Sequence, residues 1–289
     1  MIVTRTRYKN DRCNSTRKIK HSVTFVPGTA VCLFAFLLFS GNFFSAEAKP
    51  NLDKLSDEDT AIVDSVLKKK QDFIKKKDAE GTLPLLTFKE LYDGLEKTEI
   101  KFLKEILKLK PKELGVKTPF QGMSPDNVKL DKIDPQSLDI SGKRMMIPAQ
   151  YLRPEVYKSY KKMAEKMEKD IGKKLLIKSG FRSSAYQLYS FVLYLRSHKY
   201  SLKETASLNA LPGYSEHGNI KKQAVDFISE NGIDDDRPAE DFIRLKEYDW
   251  LVKNARRYGF IMSYPRSNPY GIAFEPWHWK YTGASKNKK

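Results

Sequence analysis

Residues 154–184 read PEVYKSYKKMAEKMEKDIGKKLLIKSGFRSS, and this stretch decides the fold class. Val156, Tyr160, Met163 and Met167 recur at steps of three and four, the spacing of one face of a helix. Pro154 suits the first helical turn, where its missing N–H is not needed, and Gly172 suits the C-terminal stop. Lys174 to Phe181 then reads as a strand, and Gly180-Phe181-Arg182-Ser183-Ser184 as a turn into a second helix, Ala185 to about His198. Ser184 and Gln187 stand at the spacing of a capping box for that helix.

Downstream come a Pro-Gly loop, a short strand at Ala224 to Ile228 and an acidic turn at Asp234 to Asp236. A helix from about Glu240 to Arg257 ends at Gly259, and Phe260 to Tyr264 and Ile272 to Tyr281 read as strands. Helices and strands alternate without a glycine fingerprint or a regular βαβ rhythm. The expected class is α+β, a small antiparallel sheet flanked by helices, preceded by a helical N-terminal region.

Residues 49 to 145 form that preceding region and read as a helical spacer or accessory domain. Ser56 is a plausible N-cap before the acidic turn Asp57-Glu58-Asp59, with Ile62, Val63, Val66 and Leu67 on the inner face. Thr87 and Glu90 make a capping box for a second helix carrying Leu91, Leu95, Phe102, Leu103 and Ile106, which Pro111 stops.

Residues 1–48 read as an export signal. Seven Lys or Arg precede an uncharged run from Ser22 to Ala46 with an apolar heart at Ala30–Phe39, and Ala46-Glu47-Ala48 fits a signal-peptidase site. The heart is short for a membrane span, which needs about 20 residues, although the longer uncharged run keeps an uncleaved membrane anchor as the alternative. Cleavage removes Cys13 and Cys32, the only cysteines. That excludes thiol catalysis and Cys-ligated zinc. The expected location is the periplasm or cell envelope, and a separate domain is expected over residues 146–284, with a basic tail at 285–289.

The chain of 289 residues carries a formal net charge of +17 with 40% apolar residues, which excludes wholesale disorder and a polytopic membrane protein. The charge is spread along the chain and no recognition motif accompanies it, so nucleic acid is not an expected partner. The sequence does not fix an oligomeric state.

Three motifs carry chemistry: Ser179-Gly180-Phe181-Arg182-Ser183-Ser184; Gly213-Tyr214-Ser215-Glu216-His217-Gly218 leading to Ala224-Val225-Asp226-Phe227; and Glu275-Pro276-Trp277-His278-Trp279. Two imidazoles and one carboxylate suffice to hold zinc and leave a fourth position for water. His217, Asp226 and His278 fit the ligand role, Glu275 fits a base that takes the proton of that water, and Arg182 fits a fixed positive charge for an oxyanion or a substrate carboxylate. Each residue taken singly also has a structural reading. The histidines can be hydrogen-bonded core residues, Asp226 a turn cap, Glu275 an ion-pair partner and Arg182 a carbonyl cap. On an ideal strand Glu275 and His278 point to opposite faces, so a shared site requires a bend near Pro276.

Together these motifs, with Tyr258-Gly259-Phe260 and Ser263-Tyr264-Pro265, resemble the zinc D-alanyl-D-alanine carboxypeptidases of the VanY-like group over roughly Leu175 to Gly283. Their fold is shared with D-Ala-D-Ala dipeptidases and Hedgehog N-terminal domains. The resemblance implies one Zn2+ per chain on His217, Asp226 and His278, with Glu275 as general base and Arg182 as a substrate- or transition-state-positioning cation. It also implies that Ser215 helps hold the substrate's terminal carboxylate, with Gln187 as a substrate-binding candidate behind it, and that the partner is the peptidoglycan stem peptide. Its implied reaction is removal of the terminal D-Ala. The same zinc chemistry on another stem bond (D,D-dipeptidase, L,D-carboxypeptidase or endopeptidase) and non-catalytic wall binding are the alternatives. One departure stands out: the family usually places Asp seven positions after the first His, whereas here His217 and Asp226 are nine apart, with Lys222 where a Gly is usual. A loop absorbs such an extension but changes one wall of the pocket, adding Lys221 and Lys222 near it.

Overall fold

The computed structural model describes residues 51–140 and 142–283. The signal segment 1–48 with Cys13 and Cys32, and the basic tail 285–289, lie outside the described residues. Helix α1 (Asp57–Ala79) starts as its sequence requires: Ser56 accepts from the Asp59 N–H, and three acidic residues occupy the first turn. Thr87 and Glu90 do form a capping box, but the helix they start is short, α2 (Phe88–Tyr92). Gly94 takes φ +70°, which a helix cannot continue through, and a second box between Glu96 and Glu99 opens α3 (Lys97–Lys108). The single helix expected across residues 88–108 is therefore two.

Next come four short strands in two antiparallel ribbons. β1 (Asp131–Ile133) pairs with β4 (Gln150–Leu152), and β2 (Gln136–Ile140) with β3 (Lys143–Ile147). Helix α4 (Pro154–Ile171) buries Val156, Tyr160, Met163 and Met167 and ends at Gly172, which is left-handed. It leads into β5 (Leu175–Ser179), and α5 (Ser184–Ser197) and α6 (Leu202–Leu208) follow. The N-cap of α5 is Ser183, one residue earlier than expected: its hydroxyl accepts from the Tyr186 N–H. Ser184 instead exchanges hydrogen bonds with Ser124.

The main sheet is completed by β6 (Ala224–Ser229), β7 (Phe260–Met262) and β8 (His278–Tyr281), in the order β5-β6-β8-β7 and antiparallel throughout. Between β6 and β7 the expected single helix is broken into α7 (Ala239–Ile243) and α8 (Lys246–Asn254), where Leu245 leaves helical geometry. The last strand is also shorter than expected. It begins at His278 because residues 275–278 turn: the His278 N–H donates to the Glu275 carbonyl at 3.1 Å.

Two large cores and a small third one, Leu138 with Ile147 and Ile228, hold this arrangement. Val63, Val66, Leu103 and Ile106 of α1 and α3 pack with Leu188, Phe191, Val192 and Leu195 of α5. Met163 and Met167 of α4 pack with Ile177, Phe227, Trp250, Phe260 and Trp277 around the sheet. Strand β5 belongs to the second core and helix α5 to the first, so the Arg182 turn links the two. The described residues form one compact unit.

Candidate active site

The central strand β6 brings the motifs together. Asp226 stands in register with Ser179 of β5 on one side and His278 of β8 on the other. His217 comes from a single 3-10 turn, Glu216–Gly218, held close by the Arg182 N–H donating to the His217 carbonyl at 3.4 Å. The ligand atoms of His217, Asp226 and His278 all lie within 4.8 Å of one another, and the three residues are buried.

Each imidazole has one nitrogen committed elsewhere. His217 Nδ1 lies 2.8 Å from the Gly180 carbonyl, and His278 Nε2 lies 3.0 Å from Glu216 Oε2. The other nitrogens face the same carboxylate: His217 Nε2 is 3.1 Å from Asp226 Oδ2, and His278 Nδ1 is 2.8 Å from Asp226 Oδ1. Bonds of about 2.0–2.1 Å to a tetrahedral zinc place ligand atoms about 3.3 Å apart, so this donor set fits the ion. The carbonyl and carboxylate behind the two rings are the partners that orient metal-binding histidines.

The electrostatics of the cluster push its two histidines in opposite directions. Burial works against ionising Asp226, but His217 and His278 outweigh it and hold the carboxyl well below its usual range. Burial and then the Arg182 guanidinium push the His217 imidazole down, toward the neutral form a metal requires. For His278 burial acts downward, and the hydrogen bonds with Asp226 and Glu216 override it, raising the ring to about 10. Glu216, also opposed by burial, is lowered to about 2 by His278 and Lys280.

Arg182 Nη2 donates to Asp226 Oδ2 at 3.1 Å and to Ser179 Oγ at 2.7 Å. Arg182, Gln187, Ser215 and Glu275 line one pocket with the three candidate ligands. The turn expected at Pro276 is present and keeps Glu275 beside the site, its N–H donating to the Tyr264 carbonyl at 3.1 Å. Gln187 is nearly fully buried. Its amide donates to Asn209 Oδ1 at 2.9 Å and to the Ala210 carbonyl at 2.7 Å, so it also shapes the loop before Ser215.

Two contributors were absent from the sequence reading of the site. Glu216 accepts from His278 and from Lys280 while buried to 3% exposure. Tyr264 lays its ring 4.8 Å from that of His278, and burial together with Glu216, Glu275 and Asp226 pushes its phenol far up, so it remains an O–H donor. Glu216 adjoins the first histidine, and Tyr264 lies in the Ser-Tyr-Pro turn. Neither position announces what it faces.

Gly180 allows the closest approach in the site. A Cβ there would lie 2.5 Å from the Tyr151 carbonyl oxygen, and that backbone cannot retreat because it also accepts from the Phe181 N–H at 2.7 Å. Gly180→Ala is expected to destabilise the fold by about 1–3 kcal/mol, as overpacking does. It should weaken metal retention as well, since the Gly180 carbonyl orients His217. Thermal melts and metal content after dialysis check both.

Comparison with known proteins gives the family. Residues 149–284 match the VanY family, described as D-alanyl-D-alanine carboxypeptidase. The bifunctional D-Ala-D-Ala dipeptidase and D-Ala-D-Ala carboxypeptidase VanXYC of Enterococcus gallinarum is 34% identical over 142 residues, 46% of this chain and 68% of the relative. The chain spans about half the length of two further curated relatives, 47% and 50%. An LdcB LD-carboxypeptidase structure aligns at 27% identity and TM-score 0.45 over 61% of this chain and 79% of that one. A VanY D,D-pentapeptidase from a VanB-type cassette, solved in complex with Zn(II), aligns at 21% identity and TM-score 0.41 over 57% of this chain and 86% of that one. The chain belongs to the VanY family of D-alanyl-D-alanine carboxypeptidases.

Proposed function

We propose that this protein is a zinc-dependent carboxypeptidase that removes the C-terminal D-Ala from peptidoglycan stem peptides. The observation that carries the proposal is the convergence of two buried imidazoles and Asp226 in a pocket also lined by Glu275 and Arg182. His217, Asp226 and His278 hold a single zinc ion per chain. When bound, the ion polarises a carbonyl and acidifies a water. Glu275 accepts the proton of the attacking water and hands it to the leaving amine. Arg182 stabilises negative charge on the scissile carbonyl oxygen as it develops, and Ser215 and Gln187 position the end of the peptide. Among the described residues no helix is long and apolar enough to cross a membrane. Export through the segment ending at Ala46-Glu47-Ala48 places the enzyme in the envelope, where this substrate lies.

The test is D-alanine release from a stem pentapeptide, with chelator and with added zinc. Release is expected to fall at least 100-fold with chelator and to return with zinc. Release that ignores chelator overturns the metal chemistry. Cleavage of the same peptides at the D-Ala-D-Ala dipeptide, at an L,D bond or internally would instead assign one of the alternative bonds.

A further inference from the structure

The catalytic pocket is not built from the family-matched residues alone. Pro111, Val116 and Thr118 line it together with His217 and Glu275, and all three precede the match at residues 149–284. The segment that carries them is fastened to the first two motifs and to the loop before the third. The Lys117 N–H donates to the Tyr270 carbonyl, and the N–H groups of Gln121 and Gly122 donate to the Gly213 carbonyl at 2.7 and 3.2 Å. Phe120 sets its ring edge-on to Tyr214 at 5.3 Å. At the far end the Ser124 N–H donates to Ser184 Oγ at 2.9 Å, and the Ser184 N–H to Ser124 Oγ at 2.8 Å.

The same strap receives the two-residue extension of the His217–Asp226 loop. Asn219 Oδ1 accepts from the Lys221 and Lys222 N–H groups, both at 2.8 Å, and Asn219 Nδ2 donates to Gln121 Oε1 at 2.7 Å. The longer loop is thus folded into a turn and tied to the strap. Strap and extension are one construction, and it abuts Gly213-Tyr214, immediately before Ser215.

We propose that the strap Pro111–Ser124 is the substrate-selecting wall of the pocket, and that Thr118 sets the size of the C-terminal residue the enzyme releases. This rests on the reading above, in which Ser215 holds that end of the peptide. Val116 is buried at 6% exposure and gives the wall a fixed apolar base, whereas Thr118 is half-buried and presents a short side chain at the pocket surface. One methylene more or less against such a wall changes discrimination by roughly tenfold or more.

The experiment compares Thr118→Phe and Thr118→Gly with the parent protein on stem peptides ending in D-Ala or in D-Leu. Thr118→Phe is expected to raise the D-Ala over D-Leu ratio of kcat/KM at least tenfold, and Thr118→Gly to lower it at least tenfold. Zinc content and melting temperature should match the parent protein. A ratio within twofold of the parent in both folded variants overturns the proposal. Binding of the same uncleaved peptides is measured by calorimetry in a Glu275→Gln background. There the affinity ratio must move in the same directions. A parent protein that releases no D-residue would refute the proposed reaction, while the affinity ratios still decide the role of the strap.

Discussion

Glu275→Gln is expected to lower kcat for D-Ala release by about 10²–10⁴-fold, the range for removing a general base, while zinc stays bound. The substitution keeps size and shape. It leaves untouched the backbone contacts that fix the turn, in which the Glu275 N–H donates to the Tyr264 carbonyl and its carbonyl accepts from the His278 N–H. Glu275 lines the pocket beside the candidate ligands, and its charge is felt at Tyr264, whose ring lies against His278. An amide there cannot take a proton from water, so the loss belongs in kcat, with KM changed little. Metal content by mass spectrometry separates the readings. Zinc lost together with activity would make Glu275 a ligand, and unchanged turnover would place the base elsewhere.

What the sequence made legible follows from the range of the interactions involved. Helix α4 was readable end to end because its buried face repeats every three to four residues and Gly172 marks its stop. The Ser56 cap of α1 and the Thr87–Glu90 box are likewise contacts within four residues. The errors fall where a second local signal competes with a first. Glu96–Glu99 restarts a helix after Gly94, and Leu245 interrupts an apparently continuous one. The cap of α5 falls on Ser183 where Ser184 was expected, and Ser184 is engaged instead by Ser124, 60 residues away. The candidate ligand set was visible as residue types, but their meeting depends on the register of β6 against β8, a long-range pairing. The bend at Pro276 was required by the chemistry before it was seen, since a straight strand separates Glu275 from His278. Glu216 shows the converse. A glutamate next to a histidine reads as an ordinary surface charge until its partner, 62 residues distant, is placed against it.

That carboxylate carries the second large effect. Glu216→Ala is expected to weaken zinc binding about 10–100-fold, the usual consequence of removing the group behind a metal-binding histidine. It should also destabilise the fold by about 3–5 kcal/mol, because a buried charge pair loses one member. Both follow from the position of Glu216: it is 3% exposed, Oε2 accepts from His278 Nε2 at 3.0 Å, and Oε1 accepts from Lys280. With Glu216 present, His278 has its Nε2 engaged and turns Nδ1 toward Asp226; without it the ring is free to rotate and its affinity for the metal falls. Glu216→Gln keeps an oxygen for His278 but loses the charge, so its affinity should lie between those of the parent protein and Glu216→Ala. Chelator-competition titrations measure that order, and denaturant melts measure the stability. Because Glu216 accepts from His278, a candidate ligand, and not from substrate, kcat at saturating zinc should recover to within about tenfold of the parent protein, the reverse of the pattern for Glu275→Gln. An unchanged zinc affinity in Glu216→Ala would mean that strand register and Asp226 alone hold His278. A kcat that stayed low under saturating zinc would mean that Glu216 acts on the reacting atoms themselves.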